Sequence, residues 1–204
     1  MARDNLVVVM AVLMGMLVLF GAYVFFSDTG AVVMDNYQYS NGDSVFDVQK
    51  VSEIETYITL LISMDQLTYT IGLRNDPLSL EDIPVEGNIN TRIFDDSQAW
   101  ITINPEAGLT GKTTVAALEI DKVIDNEYLY GIPVSSAMTQ EYGDYPVKSC
   151  NDATSDETVI YLTLGSETIV YTDEYCIIVV GTDEDEIIRA ADRLVLTLLG
   201  IMKA

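Results

Sequence analysis

Residues 6–26 read LVVVMAVLMGMLVLFGAYVFF, 21 consecutive residues without a charge. At 1.5 Å per residue such a run makes a helix of about 31 Å, close to the roughly 30 Å of a bilayer's hydrocarbon core. A cleavable signal peptide has a shorter apolar region, about 7–15 residues, and ends at a small-x-small site. Here Tyr23, Phe25 and Phe26 stand where small residues would be needed. The run therefore predicts an uncleaved transmembrane helix. Arg3 precedes it, partly offset by Asp4; the first basic residue after it is Lys50, beyond Asp28, Asp35, Asp43 and Asp47. That bias places residues 1–5 in the cytoplasm and everything after Ser27 outside, a single-pass protein of the cell membrane. Ala11 and Gly15 form a small-xxx-small pair, a contact face for a second membrane helix.

The remaining sequence is acidic and well supplied with core-forming residues. Its 10 Lys and Arg stand against 32 Asp and Glu, for a formal net charge of -22. A surface so charged repels phosphate, which excludes nucleic acid as a partner. With 49% hydrophobic residues and 12 Tyr the chain is no disordered polyanion. There is no histidine, which removes Ser-His-Asp and Cys-His triads, a His general base and His-ligated zinc. The two cysteines, Cys150 and Cys176, sit in no Cys-x-x-Cys motif. In an external domain such an even pair reads as a disulfide, closing a loop of about 27 residues and adding about 3–4 kcal/mol on the chain-entropy model. No Asn-x-Ser/Thr glycosylation sequon is present.

The expected architecture is α+β: a transmembrane helix, a strand-rich antiparallel unit, then a small α/β unit ending in an amphipathic helix. Residues 27–44 are polar and bear Gly and Asp, and read as a stalk. In the strand-rich unit, residues 45–110, the β-branched and aromatic stretches 45–51, 56–64 and 67–73 read as strands, with Asp65-Gln66 as a hairpin turn. Further strands are expected at 90–94 and 99–104, separated by Asp95-Asp96-Ser97. In the α/β unit, residues 111–204, the segment 113–121 fits helix and strand equally poorly. Residues 128–130 read as a short strand, 135–142 as the opening of a helix, and 157–164 and 168–171 as strands. CIIVV at 176–180 is a continuous apolar run, the mark of a strand buried on both faces. The last helix has Thr182 as its expected N-cap, acids in its first turn, and Ile187, Ile188, Ala191, Leu194, Val195, Leu198 and Leu199 on one face. Gly200 ends it.

Candidate chemistry is sparse. Gly108-Leu109-Thr110-Gly111-Lys112-Thr113-Thr114 ends like a phosphate-binding loop, but Glu106 stands where the motif needs its first glycine. The acids Asp183, Glu184, Asp185 and Glu186 are consecutive, so on a helix they point in different directions and cannot converge on one ion. Asp95 and Asp96 lack an Asp-x-Asp-x-Asp-Gly frame for Ca²⁺. These acids attract cations such as Ca²⁺ diffusely, without building a site. A Ser-Lys dyad of Ser135 or Ser136 with Lys112 or Lys148 has no motif behind it, and Trp100 within AWITI reads as core before it reads as a sugar platform. The expectation is therefore a protein that is not an enzyme, with no catalytic residue, cofactor or specific metal.

One resemblance emerges in the second half. The series Asn126-Glu127-Tyr128-Leu129-Tyr130-Gly131-Ile132-Pro133, then Val180-Gly181-Thr182-Asp183-Glu184-Asp185, then Ala190-Ala191-Asp192-Arg193-Leu194 resembles a module of archaeal S-layer and related cell-surface proteins. The likeness spans roughly residues 120–200. It departs at Ile132, where that family has a second glycine, and at Ser135 or Ser136, where it has an asparagine. The resemblance implies an envelope-associated, structural or assembly role, with the bilayer, other envelope proteins or copies of itself as partners. The alternatives are a pilin-like filament subunit, although MARDN offers no processing site, and a binding subunit of a membrane complex.

Overall fold

In the antiparallel half of the molecule alternate residues are apolar, and that period builds a sheet with one dry face. The computed structural model describes residues 35–62, 67–93 and 97–204. The expected membrane helix at 6–26, with Ala11 and Gly15, lies outside the described residues, as do residues 27–34, Asp65, Gln66, Asp95 and Asp96. Among the described residues no helix is long and apolar enough to cross a membrane.

Strands β1 (Asp35–Ser40), β2 (Val45–Ser52), β3 (Glu55–Ile62) and β4 (Leu67–Leu73) form an antiparallel meander in the order β1-β2-β3-β4. Tyr39, Val48, Ile58, Leu60, Ile71 and Leu73 are buried on its inner face. Strands β2, β3 and β4 stand where the apolar alternation places them. Strand β1 is a correction, because residues 35–40 fall within the expected stalk. Its side chains are mostly polar, and it becomes a strand by pairing, Asp35 opposite Lys50 through to Ser40 opposite Val45. The connection is an Asx turn in which the Asn41 side chain accepts from the backbone of Asp43 and Ser44, with Gly42 at φ +90°. At the far end Asp76 accepts hydrogen bonds from Tyr37 (2.9 Å) and Lys50 (2.7 Å) while capping the 3-10 turn Pro77–Leu80.

The second sheet has six strands in the order β5-β9-β10-β8-β6-β7: β5 (Val85–Glu86), β6 (Gln98–Ile103), β7 (Val134–Met138), β8 (Glu157–Leu164), β9 (Ile169–Asp173) and β10 (Cys176–Gly181). Strands β10, β8, β6 and β7 are parallel neighbours, and β9 is antiparallel to β10. Strand β6, expected in the first unit, thus belongs to the second sheet. Both sheets lie in one compact unit, Met34–Ala204. The α-helices among the described residues are α1 (Ile89–Arg92), α2 (Gly111–Ile124) and α3 (Glu184–Leu198).

Several sequence expectations change here. Residues 113–121 are helical, inside α2. Residues 90–92 of the stretch 90–94 expected as a strand are instead helical, in the single turn of α1. Residues 128–130 are no strand: the Asn126 carbonyl and side chain accept from Gly131 and Tyr128, with Gly131 at φ +63°, so the chain turns sharply off α2. Residues 134–138 form the edge strand β7 rather than the start of a helix, because β6 offers them a parallel ladder, a long-range partner that overrides local preference. The α3 N-cap is Asp183, which accepts from the Glu186 backbone, and not Thr182.

All six residues of β10 are buried. Ile177 and Val179 face the main core with α2 and α3; Cys176, Ile178 and Val180 face a second cluster with Trp100, Tyr161, Ile169 and Tyr171. That second face is covered in part by the segment after β7. It is held by the disulfide Cys150–Cys176, by Thr102 donating to the Lys148 carbonyl (2.8 Å), and by the Lys148 ammonium lying 4.8 Å from the Trp100 ring centre. The expected bridge is present, and the apolar run that predicted a doubly buried strand is one.

Candidate functional site

The strongest electrostatic anomaly lies between the two long helices. The buried stripe of α2 runs through Thr113, Ala116, Ile120 and Val123, and Glu119 falls among them. In α3 the stripe includes Ile188, Ala191 and Val195, and Asp192 falls among those, fully buried. Helical spacing alone therefore turns one acid from each helix into the interface. Asp192 Oδ2 accepts from both the backbone N–H and the side-chain amide of Asn75, each at 2.8 Å. Its Oδ1 has no hydrogen-bond partner among the described residues. Glu119 is ion-paired with Lys122 one turn on, and the Lys122 ammonium also donates to the Gly72 carbonyl at 2.8 Å, tying α2 to the edge of the first sheet.

Burial, reinforced by the neighbouring charge of Glu119, pushes the Asp192 carboxyl up to about 7, against the opposing pull of Asn75 and Lys122. Below that pH Asp192 is neutral, and a protonated Oδ1 changes from an orphan acceptor into a donor. Here the mouth of the arrangement is Glu119 and Lys122, which line an open concavity of about 420 Å³ with Tyr57 and Arg74. Neither acid was singled out from the sequence as a site residue. The available signal was a carboxylate on an otherwise apolar helical stripe, Asp192 four residues after Ile188 and three before Val195.

The residues that sequence reading did single out are spent elsewhere. Glu184 of the acidic run reaches the N-terminus of α2: its carboxylate accepts from the Thr110 backbone (2.9 Å), the Thr113 backbone (3.0 Å) and both threonine hydroxyls (2.8 and 2.7 Å). The protein's own carboxylate thus sits where a helix N-terminus would hold a phosphate, and the Gly-Lys-Thr turn is filled from within. Lys112 pairs with Asp185 at 2.8 Å. Asp183 caps α3, and Glu186 binds Arg189 (2.9 Å) and Thr168 (2.8 Å). Four adjacent acids have four different sets of partners, and among the described residues no group of three or more acids or cysteines is arranged to hold a metal ion. Lys148 binds Glu157 at 2.9 Å, and the Ser135 hydroxyl accepts from Gln98 at 3.2 Å, so Lys112, Lys148 and Ser135 of the conceivable Ser-Lys dyads are engaged otherwise. Trp100 donates to Glu157 at 3.3 Å and packs in the second cluster, the core role expected of it.

No family model, curated protein or solved structure matches this chain.

Glu184 offers a direct test of the cap. Burial raises its carboxyl, but the hydrogen bonds from Thr113 and Thr110 outweigh that and hold it down at about 2. A carboxyl depressed from its ordinary value stabilises the fold above that value and loses the contribution as pH falls toward 2. Glu184→Ala is expected to cost roughly 1 kcal/mol at pH 7, the worth of a good helix cap. The difference from the parent should shrink as the pH of a urea titration is lowered from 4.5 toward 2.5. A difference constant over that range would show that the charge of Glu184 does not hold α2.

Proposed function

We propose that this chain is a single-pass protein of the cell envelope, with residues 6–26 as its membrane anchor and the acidic α+β domain displayed outside in a structural or assembly role. The observation that carries the reading is the Cys150–Cys176 bridge. Disulfides persist in oxidising compartments, and a domain with bridged cysteines belongs on the oxidising side of the membrane. The acidic flank after the apolar run supports the same orientation, and the S-layer-like series from Asn126 to Leu194 supports an envelope role. The Gly-Lys-Thr turn, the acidic run and the two lysines all serve internal contacts, which favours a structural part over an enzyme. Copies carrying a net charge of -22 repel one another at low ionic strength, so self-assembly of such a surface calls for salt or divalent cations to screen it.

The experiment is protease digestion and thiol labelling of intact cells, before and after reduction. Digestion of the chain beyond Ser27, with both cysteines unreactive until reduced, is the expected result. Protection from protease together with two freely reactive thiols would place the domain in the cytoplasm and overturn the reading. In the purified protein the Cys150→Ser/Cys176→Ser double variant is expected to lose about 3–4 kcal/mol of unfolding free energy. It should match the reduced parent in urea titration.

A further inference from the structure

The outer face of the β1–β4 sheet carries an ordered set of polar side chains with no role in the core. Strand register brings Asn36, Gln49, Tyr57 and Gly72 into one row across the four strands. Two residues along, Gln38, Asp47, Thr59 and Thr70 make a second row. All of these but Gly72 line an open concavity of about 440 Å³. Its chemistry is amide, carboxylate, hydroxyl and the aromatic rings of Tyr37 and Tyr57, with no Lys or Arg among the described residues that line it.

The Tyr57 ring is placed by the glycine. A Cβ on Gly72 would lie 3.0 Å from Tyr57 Cε1 and 3.4 Å from Cδ1, so the Tyr57 ring occupies space that the missing side chain leaves. Glu55 holds it there by accepting from the Tyr57 hydroxyl at 2.6 Å. Beside this platform Gln38 donates to Asp47 at 3.0 Å, which leaves the carboxylate's second oxygen and the amide's carbonyl oxygen to face outward chemistry. The Thr59 and Thr70 hydroxyls sit 3.5 Å apart.

We propose that this face binds a neutral polysaccharide chain. A pyranose presents C–H groups on its flat face and hydroxyls around its edge. An aromatic ring on a sheet face matches the first, and planar amides and carboxylates, which pair with neighbouring hydroxyls, match the second. The charge decides between polysaccharides: with Asp47 in the face and a net charge of -22 on the chain, anionic glycans are repelled. The site is independent of the membrane topology, since binding is read on isolated protein.

The test is affinity electrophoresis of the full chain in mild detergent, through gels containing mannan, dextran, mixed-linkage β-glucan or alginate. At least one of the three neutral polymers is expected to retard the protein, and alginate is not. Asp47→Ala, an exposed change, and Tyr57→Ala should each weaken the retardation by about tenfold, while Tyr142→Ala on a distant loop should leave it unchanged. Asp47→Ala keeps the test decisive if Tyr57→Ala disturbs the strand over Gly72. Absence of retardation by all three neutral polymers, equal retardation by alginate, or retardation indifferent to Asp47→Ala would overturn the proposal.

Discussion

Asp192→Asn is expected to stabilise the protein, and to do so more at pH 8 than at pH 5. The carboxyl is fully buried between α2 and α3, and burial with the charge of Glu119 lifts it to about 7. In the unfolded chain the same group ionises near its ordinary value of about 3.9. Between those values the native state holds a proton that the unfolded state has released, so stability falls as pH rises from about 4 to about 7 and stays low above. Asparagine keeps an oxygen for the two Asn75 donors, with no charge to bury beside Glu119. The advantage of the variant over the parent should grow by about 2–3 kcal/mol from pH 5 to pH 8. Urea titration at the two pH values checks it. The comparison cancels the general repulsion of so acidic a chain, which both proteins share. A difference independent of pH would mean that Asp192 is ionised in the fold throughout, and that Lys122 and Asn75 compensate it fully.

The second large effect is expected from Gly181→Ala. Gly181 ends β10 where the chain turns into α3. A Cβ there would lie 2.3 Å from the Ile187 nitrogen, 2.6 Å from the Glu186 carbonyl carbon and 2.7 Å from the Asp183 oxygen. All three are backbone atoms in or beside the first turn of α3, so no side chain can rotate away and the helix itself must move. We expect a loss of about 3–5 kcal/mol in unfolding free energy. Displacing this turn also withdraws Glu184 from Thr110 and Thr113, so α2 should lose its cap in the same variant. Gly111→Ala is the control, because a Cβ at that position, the first residue of α2, meets nothing within 4 Å. Its expected effect is a gain of roughly 0.4–1 kcal/mol from the restricted unfolded chain. Similar melting temperatures for Gly181→Ala and the parent would show that the strand–helix junction has slack.

The candidate site shows where sequence reading stops. The acidic run before Ile187 was legible as a helix start, and it is one. That Glu184 would serve a different helix, 71 positions back at Thr113, was not legible, because the match of carboxylate to α2 depends on two chain segments meeting. The same holds for Asp192 and Glu119. Each was visible as an acid on an apolar stripe; only the packing of α2 on α3 puts one beside the other and raises the carboxyl. The two polar rows around Tyr57 look in sequence like ordinary solvent-facing positions of β1–β4. Register alone aligns Gly72 with Tyr57, and that alignment gives the ring its room over the neighbouring strand.

By itself the sequence determined the elements whose signal is local. Apolar alternation set β2, β3 and β4, the run CIIVV set a strand buried on both faces, and an apolar face bounded by acids and Gly200 set α3. The presence of just two cysteines limited any intrachain bridge to one pairing. Tertiary structure alone decided which segments with weak local preference became strands: polar β1 within the expected stalk, β7 where a helix was expected, and β6 in the second sheet rather than the first. Those outcomes follow from backbone groups that must find partners. A polar or short segment gains its ladder from a neighbour distant in sequence, and the free energy of that pairing appears nowhere in the segment's own residues.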